Sequence, residues 1–225
     1  MLRAFFFRGD TMKTNTKKLV LLAMLTAVAY ILAAGIRVTV FDFLSYEPKD
    51  VIITIAGFLL GPMASLIISL VVSLLEMVTY SATGIIGCMM NLLSSAAFAC
   101  IAAWIYKKRH TVSGAVTGLV AGTIGMIAVM LLWNWLITPL YMGVSREAVV
   151  GMLLPVFLPF NALKAGLNSA LILALYKPLA GALRKTGLAE QSQAGARSSR
   201  TGIYVFAGIL LITCALLFLV LQGKL

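Results

Sequence analysis

Apolar residues fall along this chain in long blocks separated by short polar breaks, and the blocks set the expected helices. A helix that crosses a bilayer needs about 20 predominantly apolar residues. Blocks at 19–36, 63–80, 85–106, 112–137 and 156–183 fit that length or come close to it. Between the first two lies a shorter block, 51–60, halted at Gly61-Pro62, a pair suited to ending one helix and starting the next. A polar stretch at 189–202, rich in Ser, Gln and Arg, precedes a last apolar block at 203–221. The pattern predicts an all-α, polytopic membrane protein: six helices in one bundle over residues 17–188, with an extension at 1–16 before them. After the linker, 203–225 is expected to add a seventh, C-terminal transmembrane helix.

Composition supports this reading. The chain is 61% hydrophobic and only 11% charged, with a mean hydropathy of +1.03, whereas soluble domains carry about 25% charged residues. The net charge of +11 does not point to nucleic acid, because the basic residues sit between apolar blocks instead of interleaving with aromatics. They report topology. An alternative reading fuses 51–76 into one helix through Gly61-Pro62, but it throws Lys107-Lys108-Arg109 to the outer face, against the positive-inside rule. The split reading is therefore adopted, with the N-terminus cytoplasmic in a plasma-membrane protein. Residues 1–11 include Phe5-Phe6-Phe7 but no long apolar region or cleavage site, so they are not a signal peptide, and Met12 is a second candidate start. Asp42, Glu47, Asp50 and Glu147 then fall in outer loops, and Glu76 near the outer end of the third span.

Candidate chemistry lies in polar residues inside apolar sequence. Asn161, Lys164 and Asn168 are spaced to share one helical face. A lysine in a membrane helix costs ~2.5–3.5 kcal/mol on insertion scales, so it faces a cavity or partner, or else snorkels to the interface. Two asparagines on the same face argue against snorkelling. Amides offer donors and acceptors and an ammonium only donors, a set suited to a neutral heterocycle with carbonyl and imide groups, or to a polyol. Asn134 lies between Trp133 and Trp135, either in an aromatic interface belt or as a ligand contact beside an indole wall. The segment FDFLSYEPKD (41–50) reads either as an exposed loop whose charges pair among themselves, or as a lid in which Tyr46 stacks and Glu47 or Asp50 accepts hydroxyl hydrogen bonds. Glu76 and Asn91 are ligand groups or interhelical hydrogen bonds.

Small residues form stripes at Ala23 and Ala27, continued by Ala29 and Ala33, and at Gly114, Gly118 and Gly122, which permit close helix approach within the chain or to another subunit. Cys88, Cys100 and Cys214 lie in apolar blocks with no CxxC pair, and one histidine, His110, leaves too few ligands for a His-based metal site. No GxxxxGK[ST] loop, HExxH or Ser–His–Asp set occurs, so the chain is expected not to be an enzyme and not to bind ATP by that loop. No resident cofactor is expected either.

The runs YEPKDVIITIAGFLLGPMASL (46–66), TGIIGCMMNLLSS (83–95), LLWNWLITPLYMG (131–143) and LLPVFLPFNALKAGLNSAL (153–171) together resemble the riboflavin-binding S components (the RibU family) of energy-coupling factor (ECF) transporters. The resemblance covers about residues 17–188. It implies a six-helix subunit that captures riboflavin from outside and passes it inward with a transmembrane T component and two cytoplasmic ATPases. It further implies flavin contacts from Asn134, Asn161 and Lys164, with Asn91 a further candidate, while Asn168 is a substrate-binding candidate from the helical face it shares. The Tyr46–Asp50 segment closes over the site, with Glu47 and Asp50 competing as the ligand carboxylate. Ala23 and Ala27 face the T component. The seventh helix departs from this pattern and is expected to be accessory, leaving the pocket residues untouched. Competing readings are an S component for another vitamin, a stand-alone secondary carrier of a small neutral solute, and an intramembrane enzyme.

Overall fold

A computed structural model describes residues 12–41, 44–81, 83–185 and 200–222. Residues 1–11, most of the linker expected at 189–202, and Asp42 lie outside the described residues. The chain forms helices α1 (Met12–Gly35), α2 (Lys49–Leu60), α3 (Pro62–Thr79), α4 (Gly84–Arg109), α5 (Val112–Met142), α6 (Arg146–Met152), α7 (Leu158–Lys185) and α8 (Arg200–Leu221). Strands β1 (Val38–Phe41) and β2 (Leu44–Tyr46) form an antiparallel hairpin between α1 and α2. Among the described residues, six helical stretches are long and apolar enough to cross a membrane.

The split at Gly61-Pro62 is present. Gly61 takes φ +99°, a conformation that glycine reaches without a Cβ clash, and Pro62 opens α3 where a missing N–H costs nothing. At 1.5 Å per residue the 12-residue α2 spans about 18 Å, too short to cross alone. It is instead enclosed by its neighbours, with Val51, Ile53, Ile55 and Ala56 at most 2% exposed. Gly57 makes this enclosure possible: a Cβ there would lie 2.1 Å from Ser65 Oγ on α3 and 2.7 Å from Ala103 Cβ on α4.

The glycine stripe of α5 packs inward. A Cβ on Gly118 would meet the Ala102 carbonyl oxygen at 2.7 Å, and one on Gly122 the Phe98 carbonyl oxygen at 2.5 Å, so α4 and α5 touch backbone to backbone. On α1 the stripes divide. Ala29 and Ala33 are fully buried, while Ala23 and Ala27 are exposed along with Met24, Val28 and Ile31.

Two elements differ from expectation. The sixth helical stretch starts earlier than residue 156: α6 leads through a π-helical turn, Leu153–Phe157, directly into α7. Pro155 lacks the N–H group that a regular α-helix needs and sits inside this wider π turn, and Pro159 falls in the first turn of α7, where a missing N–H is tolerated. Residues 38–41 and 44–46, which overlap the segment 41–50 read as a loop or lid, instead form the paired strands of the β-hairpin, with Val38 opposite Tyr46 and Thr39 opposite Ser45. Its Val-Thr-Val-Phe run has the β-branched and aromatic residues that suit strands.

Helix α8 also reaches further than expected. Leu210, Cys214, Leu217 and Phe218 join a cluster with Val40, Tyr46, Phe160 and Leu163, so this helix packs on the hairpin and on α7. It comes close at Gly166, where a Cβ would lie 2.6 Å from Cys214 Sγ. The expectation that it leaves the pocket residues untouched is corrected at Tyr46, one face of which it helps to bury.

Candidate functional site

The polar residues that interrupt the apolar helices converge at one end of the bundle, under the hairpin. Asn161, Lys164 and Asn168 all point inward from α7, exposed by 2%, 8% and 0%. Lys164 does not snorkel. Its Nζ lies 3.3 Å from Asp50 Oδ2, at the start of α2, and donates to Ser94 Oγ of α4 at 3.4 Å. Asp50 is fully buried and accepts hydrogen bonds from Ser95 Oγ and, at 3.4 Å, from Asn168 Nδ2. Tyr46, from β2, donates its hydroxyl to Asn168 Oδ1 at 3.0 Å. Burial pushes the Tyr46 phenol above its ordinary value, with the nearby Asp50 carboxylate adding to the effect, so the hydroxyl remains a proton donor. Hairpin, α2, α4 and α7 thus share one hydrogen-bonded cluster built on an Asp–Lys pair.

A cavity of about 60 Å³ lies beside this cluster. Its lining includes Leu44 of the hairpin, Gly87 of α4, Trp133, Asn134 and Thr138 of α5, and Phe157 of the π turn. Asn134 donates to the Met130 carbonyl and accepts from Thr138 Oγ1, which fixes how its amide is oriented. Asn161 connects cavity and cluster by donating to the Phe157 carbonyl at 2.7 Å, one turn from Lys164 on the same helix. The two readings of the tryptophan pair separate by residue. Trp133 lines the cavity, whereas Trp135 is 40% exposed with the Arg146 guanidinium over its ring, as an interface residue would be.

Segment 46–50 is not an exposed loop: Tyr46, Glu47, Lys49 and Asp50 are all buried. Nor do its charges pair chiefly among themselves. Glu47 and Asp50 diverge, Asp50 toward Lys164 and Glu47 toward Lys49 and Arg37, the latter at 3.6 Å. Lys49 is 1% exposed and reaches α3, where its Nζ donates to both oxygens of Glu76 at 2.5 and 2.6 Å. Asn91 Nδ2 of α4 donates to Glu76 Oε2 at 2.8 Å. Asn91 and Glu76 therefore form an interhelical hydrogen bond; they and Glu47 lie outside the cavity lining, as do Tyr46, Asp50, Asn161, Lys164 and Asn168, which reach it through the bond from Asn161 to Phe157.

Reasoning from sequence took Lys49 only as a partner for the neighbouring acids and passed over Ser94, Ser95 and Thr138. The serines and threonine carry no signal in a membrane helix, where such residues commonly bond back to the preceding turn. Lys49 could be found only through Glu76, an acid inside an apolar run that needs a cation. Among the described residues no group of three or more His, Cys, Asp or Glu is placed to hold a metal ion.

The arrangement offers what a flat, neutral, polar ring with a hydroxylated tail requires: an aromatic wall, oriented amides that both donate and accept, one ammonium, and a carboxylate flanked by hydroxyls. Because Asp50 offsets Lys164, there is no surplus positive charge for a phosphate.

The family profile for the ECF transporter, substrate-specific component, matches residues 17–176. The riboflavin transporter RibU of Staphylococcus aureus (strain TCH60) is 31% identical over 179 residues, 76% of this chain and 94% of that protein. The riboflavin transporter FmnP of Bacillus subtilis (strain 168) is 28% identical over 165 residues, 67% of this chain and 85% of that protein. A solved structure of the S component of a bacterial ECF transporter aligns with a TM-score of 0.64 at 30% identity, covering 76% of this chain and 99% of the other. The profile ends within α7, leaving α8 as an addition to the shared fold. Since the profile takes in every helix that contributes to the polar cluster, the chain belongs to the substrate-specific (S) component family of ECF transporters.

Proposed function

We propose that this chain captures riboflavin from the cell exterior, as the substrate-binding subunit of an ATP-driven importer. The observation that carries the reading is the buried α7 face of Asn161, Lys164 and Asn168, set against Asp50 and joined through Phe157 to a cavity walled by Trp133. In this reading the isoalloxazine ring lies against Trp133, its carbonyl and imide edge bonds the amides of Asn134 and Asn161 and the Lys164 ammonium, and Asp50 with its hydroxyl neighbours accepts the ribityl chain. The contacts of Lys164 at 3.3 and 3.4 Å are long for charge-assisted bonds, so its ammonium retains donor capacity for a ligand carbonyl. The Tyr46–Asp50 segment closes the site, with Asp50 as the ligand carboxylate. The named relatives are riboflavin transporters, which favours this vitamin over others.

Orientation follows from charge. The cavity sits at the start of α4 and the end of α5, and Lys107, Lys108 and Arg109 end α4 at the opposite pole. With that cluster cytoplasmic, the site faces outward and α1 starts on the cytoplasmic side of the plasma membrane. The exposed Ala23 and Ala27 on α1 then form a smooth strip for a transmembrane T component, through which two ATPases drive release inward.

Extraction of protein purified without added flavin, followed by mass spectrometry of what it carries, tests the reading. Riboflavin is expected; a different vitamin, or uptake into liposomes by this chain alone on an ion gradient, would contradict it.

A further inference from the structure

Two buried lysines lie beside the hairpin, and their surroundings differ. Lys164 makes two long contacts, whereas Lys49 is saturated, its ammonium held by Glu47 Oε2 at 2.9 Å and by both oxygens of Glu76. Lys49 therefore has no donor left for a ligand. Its position in the chain matters more. Lys49 and Asp50 are consecutive in the first turn of α2 and leave it in different directions, one toward α3 and the other toward α4 and α7. No side chain caps this helix at Pro48, and these two buried charges tie its first turn to three neighbouring helices. Glu47, one residue past β2, ties the hairpin to the same ammonium, and Asn91 secures Glu76 from α4.

We propose that Lys49 is a positioning residue: with Glu47, Glu76 and Asn91 it latches the hairpin onto α3 and α4 and aims Asp50 at Lys164. A buried ion pair is a poor source of net stability, since apolar replacements of both partners are often neutral, but removing either partner alone leaves a stranded charge. What the pair supplies here is register. It holds the hairpin's exit in one place on the bundle, so that cutting it frees the lid while the helices stay packed. The proposal rests on the assignment of Asp50 and Lys164 to the ligand site.

The test uses the full chain carrying K49M together with E76Q. That pair of changes leaves no unpaired buried charge: the amide at position 76 still accepts from Asn91, and Glu47 keeps Arg37. Hydrogen exchange of backbone amides 38–46, in protein free of flavin, is expected to speed up by about 5-fold or more, with α5 exchange and the melting temperature unchanged. Riboflavin dissociation is expected to be about 10-fold faster. Unchanged hairpin exchange overturns the latch, and so does unchanged dissociation from a loosened hairpin. Should the double variant not fold, Glu47→Leu removes the acceptor and cuts only the hairpin arm, leaving Lys49 with Glu76 and the exposed Arg37 solvated, and is expected to raise exchange over 38–46 in the same way, with the same contrary result. A parent chain that fails to bind riboflavin counts against the proposed function instead, because the exchange measurement needs no ligand.

Discussion

Lys164 makes the site electrostatically demanding, since an ammonium at membrane depth costs ~2.5–3.5 kcal/mol unless something compensates it. Asp50, 3.3 Å away and fully buried, does so. Lys164→Met leaves that carboxylate stranded and removes a ligand donor, so riboflavin binding should weaken by at least ~1 kcal/mol in a fluorescence titration. Asn134→Leu should weaken it by a similar ~1 kcal/mol while leaving the Asp–Lys pair intact. The tryptophans allow a sharper check. Trp133→Phe should remove most of the flavin-dependent quenching, whereas Trp135→Phe should remove little, because only Trp133 lines the cavity. Much at this scale was legible beforehand: polar side chains in apolar runs stand out, and Asn161, Lys164 and Asn168 converge as their spacing implied. Lys49 was not legible, because a lysine beside two acids in a polar stretch looks solvated until the fold buries it. Proximity in sequence likewise concealed that Glu47 and Asp50 face different partners.

At the scale of elements, close backbone approach holds the bundle where side chains are small. Gly122→Val would drive methyl groups into the Phe98 carbonyl of α4 and should cost about 1–3 kcal/mol, read as a lower melting temperature in detergent. The long helices followed from the apolar blocks, and the Gly61-Pro62 break from residue chemistry and loop charge, whereas the glycine stripe left inward packing and contact with another subunit both open until the packing on α4 decided it. The hairpin followed from none of these. Its strands are four and three residues long, too short for alternation to register, and tertiary burial of Val40 and Tyr46 decides their conformation. The packing of α8 on the hairpin was equally hidden, since an apolar helix beyond a polar linker carries no record of which surface it joins.

For the whole molecule, the proposed function assigns capture and delivery to different faces, and α1 is divided accordingly. Ala29 and Ala33 are buried against the bundle, while Ala23 and Ala27 remain exposed on a face that α8, packed on α7 and the hairpin, does not cover. Ala23→Trp with Ala27→Trp should leave riboflavin affinity within about two-fold of the parent, because neither residue approaches the site, yet abolish uptake in cells that supply the T component and ATPases. Affinity lost along with uptake would instead place those alanines in the fold of the site. The central claim, that the Asp50–Lys164 cluster and the Trp133 cavity form a binding site for an unphosphorylated flavin, is tested most directly by equilibrium dialysis of the purified chain. Riboflavin is predicted to bind at one site per chain and more tightly than its phosphate ester, with both affinities reduced by Lys164→Met. Absence of riboflavin binding, or an affinity that Lys164→Met leaves unchanged, would contradict it.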